Sequence, residues 1–221
     1  MVGKATLYSF WRSQASYRVR IALFLKGVSA ELRTIDLLKG EQHREDYRAI
    51  NPEGLVPAFV EEGEPPLVQS LAILEYIDEK HPDPPLLPRG LRERAYVRAL
   101  AQVPAMDSHP LIVPRVRNYL ANQLGIDEPR RNEWLKHWLD EGNRTLEALL
   151  SRSGRAGRFC FGDEVTLADV CLVPHLITAA MLYELDLRPF PTAERIFRNC
   201  MELDAFAKTQ PRLQPGALAD H

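Results

Sequence analysis

Residues 5–10 (ATLYSF) form a short apolar and aromatic run of strand length. From Ser16 the hydrophobic spacing changes. Val19, Ala22 and Leu23 fall at i, i+3 and i+4, Lys26 occupies the last turn and Gly27 stands just beyond it, which predicts a helix with a defined stop. Ala30–Leu37 (AELRTIDL) then alternates like a second strand. After a polar helical stretch ending near Ile50, two extended runs, Val56–Glu61 and Pro66–Gln69, joined by a Glu-Gly turn, predict a hairpin. A helix follows with Ser70 at its cap position and Ile73, Leu74 and Ile77 on one face, and it stops before Pro82.

The order βαβ, α, ββα matches the thioredoxin-like arrangement and occupies residues 1–83. The stretch HPDPPLLPRG holds four prolines, too many for a helix or a central strand, and places a linker at 84–90. Beyond it, over 91–221, the period is helical: Leu91–Ser108, an interrupted continuation to Leu124, Glu128–Ser151, Thr166–Tyr183 and shorter helices from Thr192. Prolines 104, 110 and 114 each remove a helical donor, so a kink is expected there. The fold class is therefore α/β plus all-α. In GDEVTLADV, Thr166 precedes Asp169 by three residues with Val165 and Val170 flanking, the pattern of a capping box with a hydrophobic staple. It opens what should be the most buried helix of the second domain, since VCLVPHLI is apolar on nearly every face.

Composition narrows the function. A chain of 221 residues can bury a substantial core and favours two domains over one. A net charge of −2, from 28 basic and 30 acidic side chains, asks for neither nucleic acid nor a membrane surface. MVGKATLYSF lacks the apolar stretch of a signal peptide, and no run of about 18 apolar residues could span a bilayer, so a cytoplasmic protein is expected. Cys160, Cys171 and Cys200 are widely spaced, with no C-x-x-C pair and no zinc-finger histidines, and read as small core hydrophobes in a reducing compartment.

Four segments, FWRSQASYRVRIALFLKGV, NPEGLVP, QSLAILEY and FGDEVTLADVCLVP, occur in order at defined intervals. Together they resemble the cytosolic glutathione transferase family, and more narrowly its zeta class, which includes maleylacetoacetate isomerases and bacterial maleylpyruvate isomerases. The resemblance covers essentially the whole chain. It implies glutathione as cofactor and a homodimer with active sites near the interface. Ser13 matches the catalytic serine whose hydroxyl donates to the glutathione sulfur, and Arg12 matches an arginine that meets a substrate carboxylate. Val56-Pro57 corresponds to a cis peptide whose Val56 backbone pairs with the cysteinyl unit, and Gln69-Ser70 to the holder of the γ-glutamyl carboxylate. His109 and Arg115 match residues that reach glutathione from the helical domain.

Physical chemistry supplies a reading of each beside the resemblance. A helix N-terminus exposes unpaired N–H groups and about half a positive charge, which suits a carboxylate at Gln69-Ser70, although Ser70 alone could be a cap. Lowering a thiol from about 8.5–9 towards 7 requires about 2–3 kcal/mol, within reach of one charge-assisted hydrogen bond plus a helix dipole. Ser13 and Ser16 compete for the N-cap, and capping is assigned to Ser16, chemistry to Ser13.

The implied reaction is cis–trans isomerisation of a maleyl keto-acid dianion by reversible thiolate addition. Conjugation of small electrophiles such as α-halo acids and a non-catalytic binding role are the alternatives. Two departures from the class bear on the substrate. The turn reads Ser13-Gln14-Ala15 where zeta enzymes usually read Ser-Ser-Cys. The buried helix has Ala180 and Met181 near where relatives carry a second substrate arginine; Arg188 lies too far along to replace it, and partial compensation is expected of His175.

Overall fold

Alternation decides the first element: in β1 (Ala5–Ser9) Ala5, Leu7 and Ser9 are buried while Thr6 and Tyr8 are half-buried. The computed structural model describes residues 5–217. β1 leads into α1 (Gln14–Leu25), β2 (Ala30–Thr34), a 3-10 turn (Glu41–His43), α2 (Glu45–Arg48), β3 (Ala58–Glu61), β4 (Leu67–Val68) and α3 (Ser70–Lys80). The strand order is β2-β1-β3-β4. β1 runs parallel to β2 and antiparallel to β3, with Leu7 opposite Leu32 on one side and Phe59 on the other, and β3 pairs antiparallel with β4. β2 ends at Thr34 rather than Leu37 and is exposed from Glu31 onward, because an edge strand has one neighbour and little to cover it.

α1 and α3 pack together, and their apolar positions join the sheet in one core of which Leu7, Val19, Leu23, Phe59, Ile73 and Ile77 are the largest members. Each such side chain contributes about 1.5–3 kcal/mol on burial. A smaller cluster joins Phe10 and Tyr47 to Val56, in the loop that precedes β3.

The chain divides into two units: residues up to Pro85 together with those from Asp204, and Leu86–Leu203. In the second unit α4 (Leu91–Gln102) widens into a π-helical turn (Val103–Ser108), then a 3-10 turn (His109–Leu111), α5 (Pro114–Asn122), α6 (Glu128–Ser153), α7 (Leu167–Tyr183) and α8 (Pro191–Met201). Regular helix stops at Gln102 instead of Ser108 because Pro104 has no N–H for the i−4 bond. α7 is the central helix, packed by α4, α6 and α8, and every residue from Leu167 to Ala179 is buried. At its start the N–H and hydroxyl of Thr166 both donate to Asp169 Oδ2, each at 2.8 Å, and the Cys160 N–H donates to Oδ1 at 2.8 Å. Cys160, Cys171 and Cys200 are free and buried. Burial, then the neighbouring Asp169, pushes the Cys160 and Cys200 thiols well above their usual range.

The segment from Asp204, which the pattern assigned to the helical domain, clusters with the first unit. α9 (Asp204–Ala207) packs on α1, the Tyr17 hydroxyl donates to Phe206 O at 2.8 Å, and Arg20 Nε donates to Thr209 O at 3.1 Å. Among the described residues no helix is long and apolar enough to cross a membrane.

Candidate active site

The turn after β1 is built around Ser13. Its backbone is extended (φ −68°, ψ 120°), its carbonyl accepts from the Tyr17 N–H at 2.9 Å, and its Oγ accepts from the Ser16 N–H at 3.2 Å. Ser13 is therefore the N-cap of α1, which corrects the assignment of capping to Ser16. Ser16 lies inside the first turn, wholly buried, and its Oγ accepts from the Phe10 N–H at 3.4 Å. Capping engages the Ser13 oxygen and not its hydrogen, which is left to donate. The N–H groups of Gln14 and Ala15, the first two residues of α1, have no intrahelical acceptor, so a sulfur beside Ser13 meets the positive end of the helix as well.

Arg12 is half-buried, with Cζ 5.8 Å from the Phe10 ring centre and 5.7 Å from that of Trp11. Both rings lie within cation–π range of the guanidinium, and among the described residues no carboxylate pairs with it. Ala15, where the class usually has cysteine, is buried.

The Val56–Pro57 peptide is cis, as the resemblance implied. The loop before it is fixed by groups the sequence reading passed over. Tyr47 Oη and Asn51 Nδ2 both donate to Leu55 O, at 2.5 and 2.7 Å, and burial pushes the Tyr47 hydroxyl up to about 12. Gly54 turns the chain at φ +62°, where an added Cβ would stand 3.0 Å from Gln42 O.

Gln69 precedes α3 with φ 70°, ψ 114°, a conformation L-residues adopt at a cost of about 1–3 kcal/mol and keep mostly at functional sites. Its Nε2 donates to both oxygens of Glu53, at 3.2 and 2.9 Å. Ser70 is the first residue of α3 rather than its cap, and the first intrahelical bond runs from the Ile73 N–H to Gln69 O at 3.0 Å. The reading of Ser70 as a simple cap is thereby removed. Arg18, five residues beyond Ser13 on α1, donates from Nη1 to Ser70 Oγ at 3.2 Å, so one helix links both serines. An arginine on a helix otherwise rich in apolar residues was the sequence signal for it.

His109 and Arg115 belong to the second unit. His109 opens the 3-10 turn and is half-buried; Arg115 lies in the first turn of α5 and is exposed. Ala180 and Met181 are half-buried near the end of α7. Arg188 is held by Asp186, with Nε 2.9 Å from both carboxylate oxygens. His175, expected to compensate in part for the absent arginine, is wholly buried.

A sheet of this topology, with a hydroxyl and a helix N-terminus at its first β-to-α junction and a cis-proline before β3, followed by a helical unit, is the make-up of a glutathione-binding transferase. The comparisons agree. Residues 3–79 match the model of the glutathione S-transferase N-terminal domain, and residues 132–199 that of the C-terminal domain. A maleylpyruvate isomerase from a Ralstonia species is 43% identical over 209 residues, 95% of this chain and 98% of that protein. A crystal structure of maleylacetoacetate isomerase from Methylobacterium extorquens AM1, with malonate and glutathione bound, superposes with a TM-score of 0.94 at 46% identity, covering 96% of this chain and 99% of that one. The holo structure of a maleylpyruvate isomerase, described as a bacterial zeta-class glutathione S-transferase, superposes at 0.92 with 42% identity, covering 96% and 99%. The chain belongs to the glutathione S-transferase family, in its zeta class.

Proposed function

We propose that the protein is a glutathione-dependent cis–trans isomerase of a maleyl keto-acid, maleylacetoacetate or maleylpyruvate. The observation that carries this reading is the Ser13 hydroxyl, whose oxygen accepts from the Ser16 N–H and whose hydrogen is free for a sulfur at the α1 N-terminus. In the proposed cycle the γ-glutamyl carboxylate lies at Ser70 and the α3 N-terminus, with Gln69 beside it. The Val56 backbone ahead of Pro57 pairs with the cysteinyl unit. His109 and Arg115 are assigned to glutathione from the helical unit.

Ser13 and the open amides of α1 hold the sulfur as thiolate. The thiolate adds to the cis double bond, forming a C–S bond while the π electrons move into the adjacent carbonyl as an enolate. The carbon–carbon bond, now single, rotates. Collapse of the enolate re-forms the double bond as trans and expels the thiolate, so no glutathione is consumed and nothing is oxidised. Arg12 holds one substrate carboxylate throughout.

Conjugation of small electrophiles is supported by a separate observation: Ala180 and Met181 offer no second cation for a dianion. The deciding experiment is an absorbance assay of both maleyl keto-acids with and without glutathione, with free thiol titrated at the end. Isomerisation that requires glutathione and leaves the thiol concentration unchanged is expected. Stoichiometric thiol loss would make the enzyme a conjugating transferase. The proposed assembly is a cytoplasmic homodimer, for which light scattering should give twice the chain mass.

A further inference from the structure

Arg18 has no part in the cycle above, yet it is among the most deeply buried charged side chains described, 1% exposed. Its Nη1 donates to Ser70 Oγ at 3.2 Å. A guanidinium carries N–H donors and has no lone pair to offer, so at this contact the serine oxygen accepts. The hydroxyl hydrogen must then point to some other acceptor. Ser70 is the first residue of α3, with no preceding helical turn whose carbonyl the hydroxyl could take, so the local acceptor a mid-helix serine uses is absent. The N–H groups of Ser70, Leu71 and Ala72 also lack intrahelical acceptors, since the first helical bond begins at Ile73. The Gln69 side chain does not cap them either, being engaged by Glu53. Three amides and one hydroxyl hydrogen thus open on the same helix end, with a buried cation behind them.

We propose that Arg18 is a positioning residue for anion binding. It fixes Ser70 as a donor and places positive charge beneath the α3 N-terminus, so that this end takes the α-carboxylate of the γ-glutamyl group. The inference rests on the glutathione reading of the preceding section. It assigns to Arg18 discrimination for one carboxylate of the cofactor and no part in thiolate formation, which belongs to Ser13. The planar fork also matters, because a lysine in its place offers one mobile donor instead of a rigid one.

The test compares two peptides by calorimetry: glutathione, and γ-aminobutyryl-cysteinylglycine, which keeps the amine and thiol but lacks that carboxylate. Wild type should prefer glutathione. Arg18→Met should raise the glutathione dissociation constant about 10–100-fold, the range of a charge-assisted hydrogen bond, and leave the analogue within about 3-fold. Ser70→Ala should do the same, and the double variant should be little worse than either alone, since both remove one interaction. With saturating glutathione, Arg18→Met should retain kcat while its KM for glutathione rises. If Arg18→Met does not fold, Arg18→Lys serves for the same ratio and should fall between wild type and Ser70→Ala. An unchanged preference for glutathione in these variants, whether both affinities fall together or neither does, overturns the role of Arg18. Wild-type protein that binds neither peptide overturns the glutathione reading itself, and the inference falls with it.

Discussion

A hydroxyl has one hydrogen and two lone pairs, and two serines of this chain divide them alike. Ser13 Oγ accepts from the Ser16 N–H, and Ser70 Oγ from Arg18, so each has its hydrogen left for a ligand at a helix N-terminus. Ser13→Ala removes two things at once. The lost cap should lower stability by about 1 kcal/mol, read from the urea midpoint, and the lost donor should cut turnover about 10²–10⁴-fold with glutathione affinity little changed. Normal turnover in a folded Ser13→Ala protein would take the chemistry away from this residue. Tyr47 has a pH signature instead. Its folded value is about 12 against an ordinary 10.0, so its share of stability is complete below pH 10 and is lost as pH rises from there through about 12, when the unfolded chain ionises first. Each unit of difference is worth about 1.4 kcal/mol. Urea midpoints measured across that window should fall less steeply in Tyr47→Phe than in wild type.

At the scale of elements, the helical unit depends on the start of α7 and on one close approach at its flank. Three N–H and O–H donors, with the weaker Cys200 thiol beside them, meet the Asp169 carboxylate; Asp169→Ala would leave the three buried without an acceptor at about 1–3 kcal/mol each, so a loss of at least about 3 kcal/mol is expected by denaturation. Gly142, in α6, is a clearer contest of magnitudes. Alanine is favoured over glycine in a helix by about 1 kcal/mol, but a Cβ here would stand 2.9 Å from the buried His175 ring and 3.1 Å from Ser108 Cβ. Overpacking costs about 1–3 kcal/mol, so Gly142→Ala should be destabilising in spite of propensity; a raised melting temperature would mean that His175 can move aside. The end of α6 and start of α8 show a cap that no local pattern predicts: Glu147 Oε2 accepts from the Thr192 and Ala193 N–H groups at 3.0 and 2.9 Å, across more than forty residues of chain.

Across the whole molecule, Arg20 ties the first unit together over 189 residues, the same span as the Tyr17–Phe206 bond. Nη1 donates to Ser9 Oγ at 3.0 Å, Nη2 to Trp11 O at 3.1 Å and Nε to Thr209 O at 3.1 Å, joining the β1–α1 turn to the segment after α9. Burial lowers its guanidinium to about 10, still charged at neutral pH. Arg20→Met would strand those acceptors and should cost about 3 kcal/mol, with faster amide exchange in residues 204–217 as the specific sign; unaltered exchange there would show that Tyr17 and α9 packing suffice.

Periodicity and punctuation by themselves determined the element order, the hairpin, the Thr166–Asp169 box and the junction that carries Ser13, because each depends on residues a few positions apart. The family motifs added the cis Val56–Pro57 bond, to which most X-Pro sequences give no local clue. Only the tertiary structure decided that Ser13 rather than Ser16 caps α1, that Ser70 answers to Arg18, that His175 is sealed in the core, and that the chain after Asp204 returns to the first unit. The cap turns on a bond of only three residues, settled by the sealing of Ser16 inside the first turn, while the Ser70 and Phe206 contacts join residues 52 and 189 positions apart. A local pattern holds no record of such distances, since burial and hydrogen-bond partnership are properties of the packed chain.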